Sequence, residues 1–283
     1  FILLLPEGVM KFAICNETFQ DWPFDRAFAF AAECGYKGLE IAPFTISNSV
    51  YDTTSAQRQS VRDLAQAAGL EIIGLHWLLA KTTGLHLTSP DEAVRKRTAD
   101  YLKELARFCG DLGGRLMVFG SPQQRSLPQG MPRDEGMRHA AEVLRMTLAA
   151  LEENDVTIAL EPLTSAETNF LNTADEAVAL ADMVDSPRVQ LHLDCKAMSG
   201  ESVPIPELIH RHHDRMVHFH ANDPNRQGPG FGELDFKPIF KALKEVNYQG
   251  WISVEVFDYA PGIERLARES IEYMQRCLGK LDQ

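Results

Sequence analysis

The chain has 283 residues, of which 45% are hydrophobic and 24% are charged, proportions that are ordinary for a globular protein. This length suits one large α/β barrel or two smaller domains. The formal net charge of −12 argues against a nucleic-acid partner, because nucleic-acid-binding surfaces normally carry a basic patch or stripe.

Residues 1–9 are apolar but lack a basic leader region and a small-residue cleavage site, and they are too short to span a bilayer. Because Met10 looks like a natural start that leads directly into a strand, we expect residues 1–9 to be upstream or expression-derived sequence. We expect residues 10–283 to form one catalytic domain without a membrane partner.

Short apolar runs alternate with amphipathic segments along the rest of the chain. The apolar runs are rich in β-branched and aliphatic residues and predict buried strands at 11–15, 38–42, 71–76, 115–119, 156–161, 189–194, 216–220 and 251–255. The segments between them have helical periodicity and capping signals, and they predict helices at 23–33, 55–68, 94–108, 133–153, from 173, at 205–212, 234–246 and 262–278.

These units contain no linker and no break in composition. Eight strand-then-helix units predict an α/β fold that closes into a single (β/α)8 TIM barrel. A doubly wound open sheet is the alternative, but no Gly-x-Gly-x-x-Gly follows the first strand.

The chain also carries five cysteines, which lie far apart without a Cys-x-x-Cys pair: Cys15, Cys34, Cys109, Cys195 and Cys277. This pattern is typical of reduced thiols in a cytoplasmic protein and not of a disulfide framework or a zinc cluster. We therefore expect a cytoplasmic location.

Four successive strands in the second half of the chain end on a carboxylate or an imidazole: Glu161, Asp194, His220 and Glu255. One such residue alone is commonly an ordinary rim residue, but four in succession favour a metal or acid/base site. The C-terminal ends of barrel strands meet at the face where active sites form. Because these strands are neighbours, one ion could reach all four side chains.

Three carboxylates and one imidazole make an oxygen-rich site that suits Mn²⁺, Mg²⁺ or Co²⁺. A divalent ion held there could bind carbonyl and hydroxyl oxygens of a substrate and stabilise an enediolate as it forms. Removal of the proton next to a carbonyl needs a base, and epimerisation needs an acid on the opposite face. Glu161 and Glu255 lie on strands that are not adjacent and could flank the substrate as this acid/base pair.

Four motifs, taken in order and spacing, resemble a known family: Leu160-Glu161-Pro162, Leu193-Asp194, His218-Phe219-His220 with Arg226 six residues on, and Val254-Glu255. They resemble the xylose isomerase-like TIM barrel superfamily. Within it, they are similar to the sugar phosphate isomerase/epimerase family, which includes tagatose/psicose 3-epimerases, hydroxypyruvate isomerases and inosose dehydratases. The resemblance covers the chain from about residue 11 to about residue 278.

The resemblance implies an isomerase that acts on a small carbohydrate and uses one divalent metal ion, Mn²⁺ before Mg²⁺ or Co²⁺. It implies that Glu161, Asp194, His220 and Glu255 bind the metal. It also implies that the two glutamates exchange the proton and that Arg226 contacts substrate oxygens. We further expect a homodimer or a homotetramer.

One position departs from the family. The 3-epimerases carry a substrate-binding histidine three residues after the aspartate, where this chain has Ala197. Lys196 could take over this role, although a solvated lysine is the ordinary interpretation. Glu40 and His76 also end strands and could contact substrate. The loop 120–125 could offer backbone amides and the guanidinium of Arg125 to an anion.

Two other activities stay open at this point. A keto-polyol dehydratase would use the same metal site and begin with the same proton abstraction. A metal phosphodiesterase like endonuclease IV would need more histidine ligands, including one three residues after Asp194, and a basic face for DNA. Ala197 and the acidic net charge both count against that activity.

Overall fold

The computed structural model describes residues 10–281, so the predicted upstream segment 1–9 lies outside the described residues. Eight parallel strands form a closed barrel in chain order. They are β1 (Lys11–Cys15), β2 (Gly38–Ile41), β3 (Glu71–Leu75), β4 (Leu116–Phe119), β5 (Thr157–Leu160), β6 (Val189–Asp194), β7 (Met216–Ala221) and β8 (Trp251–Val254). Pairing between β1 and β8 closes the sheet, which confirms the predicted (β/α)8 barrel.

Helices follow the strands and cover the outside of the barrel. Over the described residues they are α1 (Phe24–Cys34), α2 (Ser55–Ala67), α3 (Glu92–Leu112), α4 (Arg133–Glu153), α5 (Ala174–Val184), α6 (Cys195–Met198), α7 (Ile205–His212), α8 (Phe236–Glu245) and α9 (Ile263–Gly279). The short helix α6 was not predicted. It begins directly after β6, where the Asp194 carboxylate accepts a hydrogen bond from the backbone N–H of Ala197.

The strand ends place the predicted site residues on one face of the barrel. Asp194 and His220 lie side by side, because β6 and β7 pair them in register. Glu161 and Glu255 each follow the last residue of their strand, one position beyond the end of β5 and β8. The backbone N–H of Glu161 still donates to the carbonyl of Phe119 on β4, so its position remains tied to the sheet.

Two further features of the chain bear on the sequence analysis. All five cysteines carry free thiols. Among residues 10–281, no helix combines the length and the apolar character that crossing a membrane requires.

Close packing between β3 and β4 depends on a glycine. A Cβ atom on Gly74 would lie 2.2 Å from the carbonyl oxygen of Leu116, a backbone atom that can move only if the sheet moves. We therefore expect Gly74→Ala to lower the free energy of unfolding by about 1–3 kcal/mol, the usual cost of an overpacked core. Urea unfolding followed by circular dichroism measures this change.

Gly279→Ala is the matched control for this experiment, because an added Cβ there meets no atom within 4 Å. Its unfolding midpoint should match that of the unchanged protein. Equal midpoints for Gly74→Ala and Gly279→Ala would contradict the packing described for β3 and β4.

Candidate active site

The other three predicted ligands lie around His220, which is fully buried. Its Nδ1 atom lies 3.0 Å from Oε2 of Glu255 and 4.0 Å from Oδ2 of Asp194. Ligand atoms of Glu161, Asp194 and His220 lie within 4.8 Å of one another, and His192 belongs to the same group. The structure thus brings together donor atoms from strands β5 to β8.

Burial of three carboxylates in one place has a large electrostatic effect. Burial, followed by repulsion from Glu255 and Asp194, raises the pKa of Glu161 well above its usual range. Burial also raises the pKa of Asp194. For Glu255, burial alone would raise the pKa, but the charge and hydrogen bond of His220 lower it overall. The cluster of three carboxylates therefore lacks enough positive charge nearby to keep all of them ionised.

A divalent cation fits this donor set. Glu161, Asp194, Glu255 and Nδ1 of His220 would hold it, because oxygen-rich sites with one imidazole suit hard divalent ions. The charge of the ion would offset the mutual repulsion of the carboxylates, which the neighbouring histidine offsets only in part. His192 lies 3.9 Å from Glu161 with both ring nitrogens buried and without a hydrogen-bond partner.

Glu40, on β2 inside the barrel, sets the orientation of His220. It is fully buried, and its Oε2 atom lies 2.7 Å from Nε2 of His218 and 3.1 Å from Nε2 of His220. Metal-binding histidines commonly donate their second N–H to a carboxylate, which fixes the ring and leaves the other nitrogen for the ion. This geometry favours an orienting role for Glu40, and its direct contact with substrate stays a prediction.

Asp194 is held at both oxygens. Its Oδ1 atom accepts from the backbone N–H of Ala197 at 2.7 Å, and Oδ2 accepts from the amide of Asn222 at 2.6 Å. Asn222 is fully buried and also accepts from the backbone N–H of Lys196. The sequence analysis missed Asn222. The available signal was its position two residues after His220 and directly after β7, because alternate residues of an extended chain point to the same side.

Glu161 is positioned by its neighbours on the β4 side. Arg125 is fully buried, and its guanidinium donates to the carbonyl of Glu161 at 2.6 Å and to that of Leu171 at 3.0 Å. Burial lowers the pKa of Arg125 to about 10. The anion-binding interpretation of Arg125 is therefore wrong, because its Nη atoms already bind backbone carbonyls. Gly120 leaves space for Glu161, since a Cβ there would lie 2.2 Å from Oε2.

Glu255 is held on its other oxygen by a residue with an unusual backbone. The indole N–H of Trp77 donates to Oε1 of Glu255 at 3.1 Å, and Trp77 has a positive φ of 53°. The preceding residue, His76, is buried, with Nε2 2.5 Å from Oε2 of Glu17. The sequence predicts that Trp77, which lies just after a strand end, could form part of an aromatic wall against the carbon face of a sugar. The role of Glu17 was not predicted.

A cavity of about 630 Å³ opens above the four ligands. Its lining includes Glu161 and Glu255, together with the predicted substrate contacts His76, Lys196 and Arg226. The ammonium of Lys196 donates to Oε1 of Glu167 at 2.6 Å, and Glu167 lines the same cavity. We call this space the catalytic cavity. It brings charged groups of both signs to the place where a substrate would meet the two glutamates.

Comparison with known proteins identifies the family. Residues 28–277 match the family described as xylose isomerase-like TIM barrel, which is most of the chain. The chain belongs to this family. The predicted sugar isomerase/epimerase relationship is confirmed as well, and with it the enzyme class of an isomerase of the epimerase kind.

Several relatives of this xylose isomerase-like barrel are epimerases. It is 30% identical to D-psicose 3-epimerase of Enterocloster bolteae over 79% of this chain and 73% of that protein. It is 26% identical to a probable ketose 3-epimerase of Synechocystis sp., over 89% and 90% of the two chains. It is 24% identical to 3-dehydro-D-guloside 4-epimerase of Escherichia coli, over 95% of this chain and 100% of that protein.

Solved structures share the fold of this xylose isomerase-like barrel. D-psicose 3-epimerase with D-fructose superimposes with a TM-score of 0.84 at 20% identity, over 95% of this chain and 100% of the other. D-psicose 3-epimerase with D-tagatose from Clostridium cellulolyticum superimposes with a TM-score of 0.83 at 21% identity, over 95% of this chain and 99% of the other.

The role of Glu40 leads to a prediction about metal affinity in this xylose isomerase-like barrel. In Glu40→Gln the side chain loses its charge and one of its two acceptor oxygens, both of which contact Nε2 of His220, so His220 should be held less firmly. We expect Mn²⁺ affinity to fall by about 10- to 100-fold, as for other groups that orient a metal-binding histidine. Isothermal titration calorimetry with Mn²⁺ measures this.

Glu71→Gln is the control, because Glu71 is exposed at the start of β3, away from the site. It should bind Mn²⁺ as the unchanged protein does. If Glu40→Gln bound the ion with unchanged affinity, the orienting role of Glu40 would be excluded.

Proposed function

We propose that this protein is a divalent-metal-dependent sugar epimerase that moves a proton at the carbon next to a carbonyl. The observation that carries the proposal is the placement of Glu161 and Glu255. Both line one cavity, and the buried donors Asp194 and His220 belong to the strands between theirs. The relatives named as ketose 3-epimerases support a ketose-type sugar as the substrate class.

The two glutamates act as the acid/base pair in this proposal. One accepts the proton from carbon and the other returns a proton on the opposite face, which inverts that centre. Trp77 and His220 hold the carboxylate of Glu255, and Gly120 leaves room for that of Glu161, so both can be fixed before substrate binds. When bound, the divalent ion, Mn²⁺ before Mg²⁺ or Co²⁺, would neutralise negative charge that develops on substrate oxygens.

The other polar groups of the catalytic cavity hold the substrate in this proposal. Arg226 and Lys196 offer cationic donors to hydroxyl and carbonyl oxygens, and His76 offers an imidazole. Lys196 takes the place of the histidine that the family carries at position 197, and Glu167 fixes its ammonium. A homodimer or homotetramer and a cytoplasmic location also stay predictions.

A dehydratase remains the alternative within the same chemistry, because it begins with the same proton abstraction. The fold alone does not separate the activities, since an AP endonuclease family 2 structure from Brucella melitensis also superimposes, with a TM-score of 0.76 at 23% identity. The cavity favours sugar chemistry over a phosphodiesterase, because position 197 offers Asp194 only a backbone N–H and no histidine ligand.

The acid/base assignment predicts the behaviour of two variants. Glu161→Gln and Glu255→Gln should each lose about 100- to 10,000-fold in turnover, the usual contribution of a positioned general acid or base. The assay is solvent-deuterium incorporation next to the carbonyl of D-fructose, D-psicose, D-tagatose and L-ribulose with Mn²⁺ present. Metal content is measured on each variant, so that loss of the ion is separated from loss of the carboxylate.

Glu153→Gln is the control, because Glu153 is exposed at the end of α4. It should exchange deuterium at the unchanged rate. Full exchange in either site variant would remove that glutamate from the acid/base role.

Arg226 leads to a prediction that separates substrate binding from metal binding. Arg226→Ala removes a charged donor from the cavity wall, and such hydrogen bonds contribute about 1.5–3 kcal/mol. We expect kcat/KM to fall by about 10- to 100-fold while Mn²⁺ content stays unchanged. An equal loss of metal and of activity would indicate a structural role for Arg226.

A further inference from the structure

A second cavity of about 670 Å³ lies beside the catalytic cavity. The two share three lining residues, Trp77, Arg226 and Phe257, which form a partition between them. We call the second cavity the annex. Its own walls come from the loops after β1, β2, β3 and β8, and they include Glu17, Trp22, Phe44, Lys81 and Tyr259.

The walls of the annex combine aromatic rings with polar groups. Trp22 and Phe44 line it without lining the catalytic cavity. The Trp22 ring is fixed in place, since the guanidinium of Arg26 lies 3.5 Å above its centroid and the ring of Phe30 packs edge-on at 5.6 Å. A rigid aromatic ring beside carboxylate, amide and ammonium groups suits a ligand with an apolar face and a hydroxyl-bearing edge.

One buried acceptor in the annex has no partner. Glu17 is only 7% exposed, and its Oε2 atom is taken by His76. Its Oε1 atom is buried without a hydrogen bond. An unpaired buried carboxylate oxygen is costly, and native proteins seldom leave one without a donor. Glu17 lines the annex, which places this unsatisfied carboxylate in its wall. His76 lines the catalytic cavity, so the Glu17–His76 pair connects the two cavities.

Backbone strain is concentrated at the same place. Among the described residues, nine non-glycine positions have positive φ, and four of them line the annex: Gln20 (50°), Trp77 (53°), Lys81 (61°) and Arg226 (72°). Each such conformation costs on the order of 1–3 kcal/mol and persists where the surrounding structure imposes it, commonly at ligand sites. Two of the four, Trp77 and Arg226, belong to the partition.

We propose that the annex binds a second sugar ring, so that the substrate is a keto-disaccharide whose keto-sugar unit lies in the catalytic cavity. This rests on the proposed function, since it extends the substrate class of the same site. Each cavity alone is within the roughly 300–1,000 Å³ typical for one drug-sized ligand. Together they have room for two rings, with the glycosidic linkage passing the partition of Trp77, Arg226 and Phe257.

The test compares binding of a keto-monosaccharide with binding of keto-disaccharides that contain it. Isothermal titration calorimetry on the Mn²⁺-loaded protein uses D-fructose, and then maltulose, isomaltulose and leucrose, which carry a glucosyl ring at different positions. We expect at least one disaccharide to bind about tenfold or more tightly than D-fructose, because the second ring adds stacking and burial.

Variants of the annex then locate the second ring. Trp22→Ala should weaken disaccharide binding by about 5- to 10-fold and leave D-fructose binding within about twofold, while Trp22→Phe should keep most of the preference. Phe44→Ala is an independent second variant on another loop. Tyr51→Ala is the matched control, since Tyr51 is 60% exposed and lines neither cavity.

Two results would overturn the inference: no disaccharide binds more tightly than D-fructose, or both annex variants weaken D-fructose and the disaccharide equally. Binding requires no turnover, so the outcome is independent of the exchange assay. Deuterium exchange into monosaccharides without any disaccharide preference would leave the proposed function standing and reject the annex site. Tight disaccharide binding that depends on the annex, without deuterium exchange into any sugar, would support the annex site and reject the proposed epimerase function.

Discussion

The site depends on one physical constraint, the burial of three carboxylates around a single imidazole. Glu161, Asp194 and Glu255 cannot all be ionised there without positive charge nearby, and His220 supplies only part of it. The second ring nitrogen of His220 lies against the buried Glu40, so its orientation is set from inside the barrel. A divalent cation would offset this excess of negative charge, which a structural network of ion pairs would leave largely uncompensated.

Several buried groups around the site hold the predicted metal-binding residues in place through hydrogen bonds. Arg125, buried and with a lowered pKa, binds the carbonyl of Glu161, and Asn222 binds Oδ2 of Asp194. The short helix α6 presents a backbone N–H to the other oxygen of Asp194. Such groups position the ligands without contacting the reacting atoms.

The barrel and its four strand-end residues could be predicted from the sequence, because strand periodicity is local and parallel strands bring their C-terminal ends to one face. Arg125, Glu17 and Asn222 could not be assigned that way. Their roles depend on contacts with residues 36, 59 and 28 positions away, which periodicity does not encode. For Arg125 the loop composition allowed an anion site, whereas in the structure its guanidinium is buried against backbone carbonyl groups. The aromatic residues of the annex could be predicted as a wall for a sugar because they follow strand ends, but the separation of two cavities depends on how several loops pack.

The metal centre is tested by metal analysis of the protein as purified, with the ion located by anomalous scattering from crystals. We expect one divalent ion per chain, bound by Glu161, Asp194, His220 and Glu255. Several zinc ions per chain would contradict it in favour of phosphodiesterase chemistry. Absence of any ion after incubation with Mn²⁺, Mg²⁺ or Co²⁺ would remove the metal centre on which the proposed epimerase rests.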